Sequence, residues 1–425
     1  MIISGTVAKG FEPVRDLYED NMRNLAERNT QLCIYVGETQ VVDLWASADN
    51  DPGFTADSLI NVFSSGKSLE SILLAMLVDR DLLSYEAPIA TYWPEFGQRG
   101  KAEITVADLM RHEAGLAAFD TTIEAESLAT NRLKANAVGR IIEAQEPSFR
   151  PGSHACREYH AVTRGWVANE LFRRVEPDGR TMGEFLRVEV SEPLDLDVYI
   201  GLPESELPRL NPVALLGFGY QFLQGLVPRG FGRRVEMNLL QTTSRIARLR
   251  SGMQRSSRKN APPTIAGLQD VRVFDSPAMT KGETPSAGAK CSARGLAKLA
   301  AVMAGGGQFG GHRIMGPQAF QALHDAPIQR NMLALDTTFS QGGLASFGAP
   351  NPADGALGVG LNVGREGFYG WMGLGGSIFQ WHPELAIGFG YVPTQLHVLD
   401  MVNQRGKAYQ AEVVRCVERQ RAGAA

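Results

Sequence analysis

Apolar positions along the chain recur with two periods, and the changes of period mark the elements. In QLCIYVGETQVVDLWAS, residues 31–47, two β-rich runs flank Gly37 and Glu38, the pattern of a hairpin. From Lys67 the period lengthens. Leu69, Ile72, Leu73, Met76 and Leu77 fall at i, i+3, i+4, i+7 and i+8, which predicts a helix with a buried stripe. TVADLMRHEAGL opens with Thr105 and Asp108 in a capping-box spacing and closes at Gly115, so a short capped helix is expected. Helical signals continue over Leu133–Ile142 and Tyr159–Val175. ARGLAKLAAVMAGGG reads as a helix ending in glycines, and GFYGWMGLGGSIFQWHPELAIGFGYVP as paired strands punctuated by turns.

Between about Pro208 and Pro285 the texture changes to aromatics in GFGYQFLQG and then to the basic, polar RLRSGMQRSSRKNAPP, which suggests an irregular insertion or cap. No internal repeat interrupts the rest. Strands at both ends with helices between them predict an α+β fold, an antiparallel sheet assembled from the two termini and flanked by helices. The expected division is a discontinuous sheet domain, residues 1–60 and 285–425, around a mostly helical domain, 61–284, with the cap at about 208–284.

At 425 residues the chain can bury more than one core. Its net charge of −4 gives no electrostatic footprint for nucleic acid or anionic lipid over the chain as a whole, so a small-molecule partner is expected, with no nucleic acid and no membrane. Cys33, Cys156, Cys291 and Cys416 are far apart and in no CxxC spacing, and read as reduced thiols. The start, MIISGTVAKGFEPV, lacks a basic segment followed by a long apolar run, and a cytoplasmic location is expected.

The candidate chemistry begins at SSGK. Ser64 and Lys67, three apart at a helix start, lie on one face, so the lysine nitrogen can reach the hydroxyl. The first-turn N–H of Ser64 points where an acyl oxyanion could form. A lysine drawn toward an apolar helix loses basicity by desolvation and becomes a usable base. Alone, the pair reads equally as an N-cap and a solvated neighbour, since about one SxxK match arises by chance in a chain of this length. A second match, Ser256 and Lys259, precedes NAPPT and has no apolar helix behind it, so it is set aside. PGSHACREYHAVTRGWVANEL places Tyr159 after a Pro-Gly turn at the beginning of a helix, where a phenol can be presented to a cleft. YGWMGLGGSIF carries small residues on a strand, which lets a substrate lie against main-chain N–H groups.

Together and in this order, FSSGKS, LMRHEAGL, PGS…EYH and WMGLGGS resemble the motifs of the serine hydrolases related to β-lactamases. That group includes class C β-lactamases, DD-peptidases and family VIII carboxylesterases. The resemblance runs from about Phe11 to Pro393. It implies a β-lactamase or penicillin-binding-protein-like fold, Ser64 as nucleophile, Lys67 as its activating partner and Tyr159 as general base or proton relay. It also implies an oxyanion hole from the backbone N–H groups of Ser64 and Leu374, and a substrate border at Trp371 and Gly373. No cofactor or metal is expected.

The chain departs from the β-lactamase pattern twice. Tyr159, His160, Ala161 stand where those enzymes have Tyr-x-Asn, and Trp371 stands where they carry a lysine or histidine before x-Gly. The lost amide and the lost cation weaken lactam recognition more than acyl transfer. Cleavage of small carboxylic esters through an acyl-enzyme on Ser64 is therefore expected, with acyl transfer to an alcohol or amine equally compatible. A β-lactamase or DD-peptidase-like amide hydrolase, or a non-catalytic binding protein of the same fold, are the alternatives.

Other constellations fall short. No serine has the GxSxG surroundings of an α/β-hydrolase nucleophile, and HExxH fails at Leu116. GVGLNVG and AGGGQFGG complete no nucleotide-binding pattern and are expected to be turns, the first among strands. The Arg245–Lys259 run reads as a solvated face or mobile lid. Phe218, Tyr220 and Phe222 are expected near the substrate pocket.

Overall fold

Strands from the two ends of the chain build one nine-stranded antiparallel sheet in the computed structural model, which describes residues 1–149, 157–332 and 335–424. The N-terminal part supplies β1 (Ile2–Val7), β2 (Asn29–Val36) and β3 (Thr39–Ser47). The C-terminal part supplies β4 (Ile328–Met332), β5 (Leu335–Phe339), β6 (Ala345–Ser346), β7 (Tyr369–Met372), β8 (Ile378–His382) and β9 (Ile387–Pro393). Their spatial order is β1-β3-β2-β9-β8-β7-β6-β5-β4. The β2–β9 pairing, Leu32 opposite Tyr391, closes the two halves into one sheet.

Alternation along each strand sends side chains to two different cores. Leu32, Ile34, Ile378 and Phe389 face α1 (Glu12–Asn24) and the C-terminal helix Gln404–Ala424, packing with Tyr18, Tyr409 and Val413. Cys33, Phe379 and Trp381 face the helical body. There Ala293–Ala304 lies flat on β9, and Gly388 and Gly390 make this approach possible, because a Cβ on either would overlap the helix backbone at Ala301 or Ala293.

At the centre of that body lies α2 (Lys67–Asp79), whose residues are buried without a break from Lys67 to Leu77. The expected stripe is there, but Ser68, Glu70 and Ser71 on the opposite side are enclosed as well. A helix surrounded on all sides must pair its polar groups internally, and Glu70 does so with Arg164. The hairpin at Gly37, the Thr105–Asp108 capping box and the glycine-ended helix form as read from sequence.

Three local readings need correction. The segment Leu133–Ile142 divides into helices Thr130–Lys134 and Gly139–Ala144, broken where Asn136 adopts φ +62°. The helix read from Tyr159 begins only at Thr163, as α3 (Thr163–Val175); the residues before it run across to another segment, where Glu158 N and His160 N bond to His112. GVGLNVG, expected as a turn among strands, belongs to a helix, Gly355–Asn362, continuing from an Asn351 cap. The Pro-Gly turn at 151–152 and Cys156 lie outside the described residues. Cys33, Cys291 and Cys416 are free and buried.

The cap is more regular than its composition suggests. It holds α4 (Phe218–Leu226) and α5 (Leu239–Arg255). It joins the body through a parallel ribbon of Ala214–Leu215 on Gln395–Leu396 and through the N–H of Ala26 donated to Arg234 O. A small four-stranded sheet links Leu59–Asn61, next to Ser64, with segments at 198–199, 210–211 and 290–291, so the strand entering the site is tied to both regions of the chain. Among the described residues no helix is long and apolar enough to cross a membrane.

Candidate active site

Ser64 sits in a 3-10 turn, Phe63–Gly66, that runs directly into α2, with Lys67 as the first α-helical residue. Phe63 adopts φ +47°, an uncommon conformation for a bulky residue, held by its ring against the edge of Phe274. The turn is wedged tightly. A Cβ on Gly66 would collide with Pro285 O. One turn of helix brings Lys67 Nζ to 3.5 Å from Ser64 Oγ. Ser64 is partly exposed while Lys67 is 1% exposed, its Nζ donating to Ala161 O at 2.6 Å and Ser286 O at 3.1 Å.

Tyr159 arrives from the other side on a segment outside any helix or strand. Its hydroxyl donates to Ser64 Oγ at 2.6 Å, and Lys67 Nζ lies 4.9 Å from its ring centre. Burial raises the phenol above its ordinary value, more than the hydrogen bonds with Ser64 and Trp371 lower it, so the neutral phenol is the resting form. A proton relay suits such a group better than a standing phenolate base.

The segment is fixed by residues that sequence reasoning passed over. Glu158 N donates to His112 O, His160 N to His112 Nδ1, and Leu116 N to His160 Nε2. His112 is buried at φ +66°, and burial together with Arg164, His160, Lys67 and Arg157 pushes its imidazole well below the usual range, so it is neutral and free to accept. Arg157 is clamped by Glu113 at 2.7 Å and by Thr337 O at 2.6 Å. His112 and Glu113, half of a zinc pattern in sequence, thus anchor the tyrosine loop to the helix turn and to β5. Behind Lys67, Arg164 Nε meets Glu70 at 2.8 Å and its Nη2 holds Lys67 O at 2.9 Å. The available signal was a charged pair on two otherwise buried helices, Glu70 on the apolar run of α2 and Arg164 at the start of α3.

The third segment closes the site along β7. Trp371 N donates to Ser68 Oγ at 3.0 Å and its indole Nε1 to Tyr159 Oη at 3.2 Å. An indole N–H is a donor only, so the Tyr159 oxygen accepts from Trp371 and turns its own proton toward Ser64. The glycine at 373 has a packing cause: a Cβ there would overlap Val62 O and Ser377 Oγ, so only glycine lets the chain leaving β7 pass this close to the Ser64 turn. Ser377 Oγ in turn donates to Val62 O at 2.6 Å. Leu374 follows in the turn after β7 and is 41% exposed. Ser256 of the rejected second SxxK match donates to Glu158, which brings the end of the cap beside the tyrosine loop.

Comparison with known proteins agrees with this assembly. The β-lactamase family model matches residues 14–412. An esterase/β-lactamase, LipL, of Mycobacterium tuberculosis is 31% identical over 381 residues, covering 86% of this chain and 76% of its own. Among solved structures, a family VIII carboxylesterase superposes with a TM-score of 0.76 at 26% identity, over 98% of this chain and 100% of its own. A penicillin-binding protein homologue from Caulobacter crescentus gives 0.75 at 26% identity, with the same coverage. The chain belongs to the β-lactamase family of serine hydrolases and is an enzyme of that family.

Proposed function

We propose that the enzyme hydrolyses small carboxylic esters through an acyl-enzyme on Ser64. The observation that carries the reading is the Trp371 indole on Tyr159, which puts a neutral donor where a lactam carboxylate would need a cation. The names of two relatives, a family VIII carboxylesterase and an esterase/β-lactamase, support it.

In the proposed reaction Ser64 Oγ attacks the ester carbonyl while its proton passes to Lys67 in the amine form. The backbone N–H groups of Ser64 and Leu374 receive the oxyanion, each such donor contributing about 10² to 10³ in rate. On collapse the proton returns from Lys67 through the Tyr159 hydroxyl to the departing alkoxide. Water then attacks the acyl-enzyme under the same pair, its proton restoring Ser64, so that one ester and one water give one acid and one alcohol. An alcohol or amine in place of that water would give acyl transfer. Trp371 and Gly373 border the substrate along β7.

A β-lactam hydrolase is the competing reading within the family. Parallel turnover of nitrophenyl butyrate and a chromogenic cephalosporin separates them: ester turnover far above cephalosporin turnover supports the proposal, and the reverse order overturns it.

A further inference from the structure

The cap wears one of its helices inside out. In α4, Gln221 is 4% exposed and donates to Leu216 O, and Gly225 packs on the backbone of Leu239, while Phe218, Phe222, Leu223 and Leu226 point outward. A surface helix ordinarily does the opposite. The exposure continues beyond the helix: Phe231 is 84% exposed, and eight of the thirteen exposed large apolar residues among the described ones fall between Leu215 and Leu240. Apolar exposure this concentrated marks a surface that meets something.

The surrounding charge says what. Residues 210–269 hold nine Lys and Arg against a single acidic residue, Glu236, within a chain of net charge −4. Arg229, Arg234, Arg248 and Arg250 are exposed. An outward aromatic and aliphatic face on a segment rich in exposed arginines, Arg229 near Glu236 at 3.7 Å and Arg234 donating to Leu25 O, complements an anionic lipid surface, apolar groups entering the acyl boundary and guanidinium groups meeting phosphate. The expectation of no membrane partner rested on whole-chain charge, which averages this segregation away.

The face begins at the site. Leu215 lies on the ribbon with Gln395–Leu396, and Leu396 abuts Gly375, the neighbour of Leu374.

We infer that the outward face of α4, with Phe231 and the exposed arginines of the same segment, docks the enzyme peripherally on anionic lipid surfaces and sets the Ser64 site beside the interface. The docking stands whether or not Ser64 cleaves esters.

The test is flotation of the full-length chain with vesicles of phosphatidylcholine alone or mixed in equal parts with phosphatidylglycerol. Ser64→Ala protein should float with the mixed vesicles and much less with phosphatidylcholine, and added salt should weaken binding. The triple variant Leu223→Ser, Leu226→Ser, Phe231→Ser should lose about tenfold or more in vesicle affinity. With Ser64 intact, its turnover of soluble nitrophenyl acetate should be unchanged. Arg229→Glu with Arg248→Glu should weaken binding to mixed vesicles only. No flotation, equal flotation with both lipids, or binding indifferent to the triple variant would overturn the inference. So would a dimer that the triple variant dissociates in a protein that ignores vesicles, because the face would then join two copies of the chain.

Discussion

The indole nitrogen of Trp371 lies 3.2 Å from the hydroxyl oxygen of Tyr159, and that hydroxyl donates to Ser64 at 2.6 Å. One donor-only group therefore sets the direction of the proton on the residue it touches, Tyr159. Trp371→Phe keeps an aromatic ring but loses the N–H. Its kcat on nitrophenyl butyrate should fall about tenfold, the worth of one hydrogen bond at the reacting centre, with KM changing less. Steady-state kinetics check the split.

As the proposed proton relay, Tyr159 should set an alkaline limit. Burial raises the phenol above its ordinary value of 10, so it keeps its proton through neutral and mildly alkaline pH and loses it only above the usual tyrosine range. Activity limited by this group should hold up to about pH 10 and decline beyond it, at pH values where the fold is confirmed by circular dichroism. Tyr159→Phe should lose about 10² to 10⁴ in kcat.

His112 links pH to stability. Its folded value is depressed well below 6.5 by burial first and then by the charges of Arg164, His160, Lys67 and Arg157. Above about pH 6.5 the imidazole is neutral in both the folded and unfolded chain and carries no penalty. As pH falls below that, the unfolded chain takes up a proton that the folded one refuses, and stability is lost. His397, also depressed by burial, acts with the same sign. Denaturant midpoints from pH 7 to pH 5 should fall less steeply in His397→Gln than in the wild type.

Glu70 and Arg164 form an ion pair with both side chains fully buried. Removing one charge leaves the other unpaired, so Glu70→Gln should cost about 3 to 5 kcal/mol in denaturant unfolding. Because Arg164 also holds the Lys67 carbonyl, activity should drop in the fraction that remains folded.

What could be read from the sequence was local. The SxxK turn, the capping box at Thr105 and the hairpins follow from spacing and turn chemistry over a few residues, and each stands where the pattern put it. The sheet built from both termini followed from strands at the chain ends. Long-range partners escaped. Tyr159 reads as helical because AVTRGWVANEL behind it is, yet its segment is pinned across the fold to His112, 48 residues before His160, a partner that local pattern does not reveal. GVGLNVG reads as a loop because glycine is counted as a breaker, whereas capping and burial of Leu357 and Leu361 outweigh that cost. Sequence places Phe218, Tyr220 and Phe222 near the substrate pocket but cannot show which way they face, and Gln221 and Gly225 occupy the inner side of α4.

Whether Ser64 carries the acyl group is tested most directly by hydrolysis of nitrophenyl acetate and butyrate by wild type and Ser64→Ala, with intact-mass spectrometry of the quenched reaction. Turnover and a single acyl adduct are expected in the wild type, and neither in the variant. Ester turnover that survives in Ser64→Ala, or an adduct mapped to another residue, would contradict an acyl-enzyme on Ser64.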